Sequence, residues 1–103
     1  MRRREDAWTL ARETAATLRG DYGASRVLLF GSLAKGYFGR WSDVDVIVFG
    51  IPADRRAQAI ASLSIEPEPS NPAHLGLDLL AAEELAPDFL AAAERDGIEL
   101  DGR

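Results

Sequence analysis

The chain has 103 residues, 47% of them hydrophobic, with 17 acidic against 12 basic side chains and a formal net charge of −5. That length and apolar fraction suffice for one packed core, so a single domain over 1–103 is expected, and the acidic balance argues against a domain built to coat a nucleic-acid backbone. The absence of cysteine excludes disulfides and thiolate metal sites, leaving oxygen donors and the lone His74 for any metal.

The apolar positions Trp8, Ala11, Ala15, Leu18 and Tyr22 recur at helical spacing and predict an amphipathic helix from Glu5 to Tyr22, ended in the Gly20 to Gly23 region. Arg26-Val27-Leu28-Leu29-Phe30 is a β-prone run that stops at Gly31 and reads as a buried strand. Ser32 then opens a segment, Leu33 to Tyr37, with room for a turn or two of helix. A loop marked by Gly36, Gly39, Tyr37, Phe38 and Trp41 leads to a second strand, Val44 to Phe49. Pro52 begins a helix over Ala53 to Leu63, with Ala57, Ile60 and Leu63 on one side.

The proline-containing stretch SIEPEPSNPAH reads as an exposed connection. A third strand is expected over Leu75 to Leu80, a last helix from about Pro87 to Arg95, a stop at Gly97, and a short strand at Ile98-Glu99-Leu100. This alternation predicts an α/β (α+β) fold, a small sheet flanked by helices, with the sense of strand pairing left open. No run approaches the about 18 apolar residues of a membrane span, and the N-terminal MRRREDAWTLARE turns acidic where a signal peptide stays apolar. A cytoplasmic location and no membrane partner are expected.

The chemistry concentrates in VLLFGSLAKGYFGRWSDVDVIVFG. At Gly31-Ser32 a strand meets a helix start, where a missing Cβ admits a ligand close to backbone amides. The Ser32 hydroxyl suits a phosphate oxygen, and Lys35, one turn on, can bring a positive charge to the same group. The plainer reading is a turn that caps a helix. Asp43 and Asp45 stand two apart at the start of a strand and so project to one face, opposite Val44, Val46 and Val48. They suit hard cations, or else they simply begin a solvated strand.

Asp78, inside LGLDLLA, supplies a third carboxylate at a position where a charge is costly unless paired. It joins the other two if its strand lies beside theirs, and otherwise faces solvent at a strand edge. Three such acids would hold two Mg²⁺ ions about 3.5 to 4 Å apart. These ions suit in-line attack of a hydroxyl on the α-phosphorus of a nucleoside triphosphate, with Asp78 as general base.

Gly31-Ser32, ten intervening residues and Asp43-Val44-Asp45 together resemble the GS-x10-DxD signature of the DNA polymerase β-like nucleotidyltransferases, and specifically their minimal members. The likeness runs from the first helix to the closing FLAAAERDGIEL. It implies a mixed sheet flanked by helices, phosphate contacts from Gly31 and Ser32, and Mg²⁺ on Asp43, Asp45 and Asp78. It further implies a HEPN-domain toxin as partner, with this chain as antitoxin adding AMP from ATP to a tyrosine of that partner. Two other readings stay open: neutralisation of the partner by occlusion alone, and transfer to a small hydroxylated molecule such as an aminoglycoside. Among the remaining residues, Trp41 is expected to pack under its loop, Arg40 and the Arg2-Arg3-Arg4 run to be solvated, and Tyr37 and Phe38 to be exposed. His74, with no evident partner, offers little for catalysis.

Overall fold

The computed structural model describes residues 3–39, 42–68, 70–71 and 74–101. In chain order the elements are α1 (Arg3–Tyr22), β1 (Arg26–Phe30), α2 (Ser32–Lys35), β2 (Val44–Phe49), α3 (Ala53–Leu63), β3 (Leu77–Ala81), a 3-10 turn (Ala82–Glu84), α4 (Pro87–Asp96) and β4 (Ile98–Leu100). The four strands form one sheet in the order β3-β2-β1-β4. It is mixed: β1 pairs antiparallel with β2 and β4, whereas β2 and β3, joined through α3, run parallel.

Alternation along the strands divides the sheet into two faces. Val27, Leu29, Val44, Val46, Val48, Leu77, Leu79 and Leu100 point to one side and form a buried core with α1 and α3. The helix contributes mostly small residues there, Ala7, Ala11, Ala15 and the larger Leu18, all fully buried. Alanine at these positions lets the α1 backbone lie close to the sheet. Gly23, at φ 72°, then turns the chain out of the helix, and the Ala24 N–H closes it onto the Leu18 carbonyl at 3.0 Å. On the other side Leu28 and Ile47 form a smaller core with Ala82 and Ala93, flanked by Leu80, Leu85 and Leu90.

Several element boundaries move by a residue or two from the sequence-based expectation. α1 begins at Arg3 and continues through Gly20, and β3 spans Leu77–Ala81. In α3 the buried side is set by Ala59, with Ile60 and Leu63 packed beside it, while Ala57 faces solvent. Ala57 lies three residues from Ile60, but on the rim of the apolar stripe. Among the described residues no helix is long and apolar enough to cross a membrane.

Candidate functional site

One row of side chains crosses the second face of the sheet near the end of β1. Phe30 is in register with Asp45 across the antiparallel β1–β2 ladder, and Asp45 is in register with Asp78 across the parallel β2–β3 ladder. In-register partners share a face, and neighbouring strands lie about 4.8 Å apart, so Asp45 and Asp78 stand side by side. Asp43, just before β2, lies two residues from Asp45 and therefore on the same side. The buried Ile47, two residues further along, confirms which face that is.

Two glycines make space for two of these acids. A Cβ on Gly31 would collide with Asp45 Oδ2, and one on Gly76 would lie 2.6 Å from Asp43 Oδ1. Gly31 also has φ 78° and ψ −154°, a conformation almost restricted to glycine. Gly76 has no such backbone demand; there the requirement is the room itself. Its carbonyl also accepts the Val44 N–H at 2.9 Å, which extends the β2–β3 pairing back to the level of Asp43.

Burial, and then the negative charges of Asp78 and Asp43, push the Asp45 carboxyl up from 3.8 to about 6. A carboxylate crowded by two others in a partly dry site is destabilised by its own ionisation, and a divalent cation relieves that cost. The donor set is all oxygen, which matches Mg²⁺ and excludes a soft metal. Among the described residues no three acids or histidines close into a ready-made metal cluster. The carboxylates thus stand on one face as mutually repelling neighbours and do not converge on one point.

Beside Asp45, Gly31 leads into the single turn of α2. The Lys35 N–H bonds to the Gly31 carbonyl at 3.1 Å, and Gly36 (φ 91°) closes the turn with its N–H on the Ser32 carbonyl at 3.0 Å. The first amides of such a turn have no acceptor within the helix, and among the described residues the Ser32 hydroxyl has no hydrogen-bond partner. Lys35 is exposed and lines, with Gly31, Phe30, Phe89 and Asp96, a cavity of about 170 Å³. One wall of it is an edge-to-face pair, Phe30 and Phe89, with centroids 5.8 Å apart. The turn therefore sits between the carboxylate row on one side and, on the other, a mostly apolar hollow that carries one charge of each sign, Lys35 and Asp96.

The expectation for Asp78 holds in position but not in its energetic argument. Its side chain is exposed at the sheet edge, so its charge bears little burial cost. Phe38 is half-buried against the α1 side of the core, while Tyr37 is 66% exposed. His74 is tied into its connection, with Nε2 2.8 Å from the Glu66 carbonyl. Arg40 and Trp41 lie outside the described residues.

Arg3 departs most from its expected role as a solvated terminus. Its guanidinium donates to the carbonyls of Ser42 at 2.8 Å, His74 at 3.3 Å and Gly39 at 3.3 Å, and lies 5.2 Å from the centre of the Phe38 ring. It thereby ties the segment entering Asp43 to the one entering β3. No local pattern signals this, because the partners lie 36 to 71 residues away. Gly76 was also overlooked, since a lone glycine before a strand carries no spacing cue.

With this geometry in view, comparison with known proteins is specific. The family model described as "Nucleotidyltransferase domain" matches residues 11–94. A solved structure of a protein assigned as a minimal nucleotidyltransferase is 26% identical, with a TM-score of 0.61 over 90% of this chain and 92% of that one. A toxin–antitoxin crystal structure with AMP-PNP has a TM-score of 0.63 at 20% identity, covering 89% of this chain and 73% of that one. A protein from Sulfolobus solfataricus assigned as a nucleotidyltransferase has a TM-score of 0.59 at 16% identity, over 94% and 81%. The last two likenesses are of fold. No curated protein matches the chain in sequence.

Proposed function

This chain belongs to the nucleotidyltransferase domain family, and we propose that it is a Mg²⁺-dependent enzyme moving AMP from ATP to a protein hydroxyl. The proposed acceptor is a tyrosine of a HEPN-class toxin, for which this chain is the antitoxin. The observation that carries the reading is the in-register pair Asp45 and Asp78, with Asp43 on the same face and Gly31 beside them. A toxin–antitoxin structure of the same fold is held with AMP-PNP, which supports an adenine nucleotide and a protein partner.

Asp43, Asp45 and Asp78 would hold the metal, which when bound supplies Lewis-acid stabilisation of the phosphate oxygens and of the incoming hydroxyl. Gly31 admits the triphosphate close to the α2 amides, and the Ser32 hydroxyl and Lys35 ammonium address its terminal oxygens. Phe30 and the α4 side chains limit water on that flank. Asp78, exposed at the sheet edge, receives the acceptor proton. The acceptor oxygen forms its bond to the α-phosphorus as the bond from that phosphorus to the bridging oxygen breaks, and pyrophosphate departs.

Incubation with ATP, Mg²⁺ and the HEPN-class partner should add one AMP mass, or a multiple of it, to the partner. An unchanged mass with both proteins folded would overturn the reading. An Asp43→Asn, Asp45→Asn double variant should still bind the partner but no longer modify or neutralise it. Neutralisation that survives this change would assign the antitoxin effect to occlusion.

A further inference from the structure

The β3 edge of the sheet is flanked by the chain's own return from α3. The Ile65 N–H donates to the Leu77 carbonyl and the Leu77 N–H to the Ile65 carbonyl, each at 2.9 Å, and the Leu79 and Ala81 side chains are buried. A carbonyl only accepts, so His74 donates through Nε2 to the Glu66 carbonyl at 2.8 Å. Pro67 follows with its φ fixed by the ring, and its Cα lies 3.3 Å from where a Cβ on Gly76 would stand. Residues 65–67 are thereby held as a rigid wall beside the sheet.

Between this wall, the end of α3 and β3 lies a groove of about 610 Å³. Ile60 and Ile65 line it half-buried, and Ala61, Ser64 and Pro67 line it exposed. It opens onto the carboxylate row, because Asp43 and Asp78 line it as well, and Asp78 is exposed there. The groove thus joins an apolar flank to the acids of the site.

We propose that this groove seats the acceptor side chain and selects an aromatic hydroxyl over an aliphatic one. The proposal rests on the reading above that the nucleotide goes to a protein hydroxyl. Direction is the first argument. The site runs from Gly31 past Asp45 to Asp78, and on that reading the pyrophosphate leaves over Gly31 and Ser32. In-line displacement sets the attacking oxygen opposite the leaving one, so the acceptor arrives past Asp78, from the groove. Shape is the second. Tyrosine carries its hydroxyl at the tip of a flat apolar ring, which fits against Ile60, Ile65 and Pro67 while the oxygen reaches Asp78. Serine and threonine hold theirs beside the backbone, and the wall at 65–67 keeps a backbone at a distance. The residues that select the ring carry no charge, so selection and metal binding fall to different side chains. The phenol oxygen bonds to the α-phosphorus and its proton passes to Asp78. The bond from that phosphorus to the bridging oxygen breaks, and pyrophosphate leaves with the electron pair.

The test uses the whole chain with Mg²⁺ and a non-hydrolysable ATP analogue. The probes are capped tripeptides with tyrosine, phenylalanine or serine between two alanines. Ring-current shifts are read by NMR at the isoleucine methyl groups. The two aromatic peptides should shift Ile60 and Ile65 saturably and leave Ile47, in the α4-side core, and Ile98, on the opposite edge strand, unmoved. The serine peptide should shift none of them. With ATP in place of the analogue, only the tyrosine peptide should speed pyrophosphate release, and the phenylalanine peptide should compete with it. Ile65→Ala should raise KM for the tyrosine peptide about tenfold with kcat little changed. Ala61→Trp, at an exposed position, should fill the groove and abolish the shifts without altering affinity for the nucleotide analogue.

Absent shifts at millimolar peptide, equal shifts at Ile98, a serine peptide as effective as the tyrosine one, or an unaltered KM in Ile65→Ala would overturn the proposal. So would shifts at Ile60 and Ile65 that grow with protein concentration alone, which would assign the groove to a second copy of the chain. The methyl shifts need no transfer. Shifts at Ile60 and Ile65 without any AMP transfer would refute the catalytic reading alone, and AMP addition to the partner that Ala61→Trp leaves unaltered would refute this seat alone.

Discussion

The two faces of the sheet are made by the same strands and do opposite work. Beneath α1 and α3, Val27, Leu29, Val44, Val46 and Val48 are all buried, with no polar side chain among them. On the other face Leu28 and Ile47 are buried under α4, but the row beside them is Phe30, Asp45 and Asp78. Half of that face therefore secures the sheet and the other half stays open. One residue of slip in β2 would place Asp45 in the main core and Val46 in the site, so the hydrophobic pattern that fixes register also fixes the chemistry.

The sharpest break between the faces is Asp45→Asn. Transfer should fall by about 10³-fold in a pyrophosphate-release assay, while the metal-free protein becomes more stable at pH 8, with a midpoint higher by about 5 °C. A drop in both would mean that Asp45 serves the fold. Leu29→Ala tests the opposite face. It should cost about 3 kcal/mol in urea unfolding, with activity per folded molecule retained.

Gly76→Ala lies between these cases. Its new methyl group displaces Asp43 without a forbidden backbone angle, so activity should drop about 10- to 100-fold with stability held within about 1 kcal/mol. Unaltered kinetics would show that Asp43 does not need its observed position. The pH dependence is smaller and has a defined sign. The folded-state Asp45 carboxyl is raised from 3.8 to about 6, so the native state holds the extra proton in that window. Its contribution is present below pH 3.8 and is lost as pH rises through about 6. The metal-free melting temperature should accordingly carry a falling component across that interval, absent in Asp45→Asn, and Mg²⁺ should stabilise most above it. Finally, Arg3→Ala should lower stability by about 1 to 2 kcal/mol and activity only a few-fold, by loosening the segment that carries Asp43.

Much of this was legible in the chain. The β2 strand follows from Val44 to Phe49 alone, and the pairing of Asp43 with Asp45 follows from a period of two. The neighbour for Asp78 did not follow from period. It depends on β3 lying parallel to β2, which is settled only when α3 crosses over the sheet and Leu77 and Leu79 complete the core. Arg3 was illegible for a different reason. An arginine near a terminus is ordinarily solvated, and its three carbonyl partners are gathered only by the finished fold. Ala57 was misplaced because α3 fully buries only Ala59, with Ile60 and Leu63 partly buried beside it, a narrower stripe than the spacing suggests.

The hollow over Gly76 has an evolutionary reading. Its backbone lies outside the left-handed region, so a single-base change to alanine meets no forbidden angle, yet the new Cβ would lie 2.6 Å from Asp43 Oδ1 and 3.3 Å from the Pro67 Cα and would displace the carboxylate. Duplicated copies of such a gene are thus one methyl group from becoming inert decoys. On the proposed function, the residue at that position would separate copies that transfer from copies that only bind.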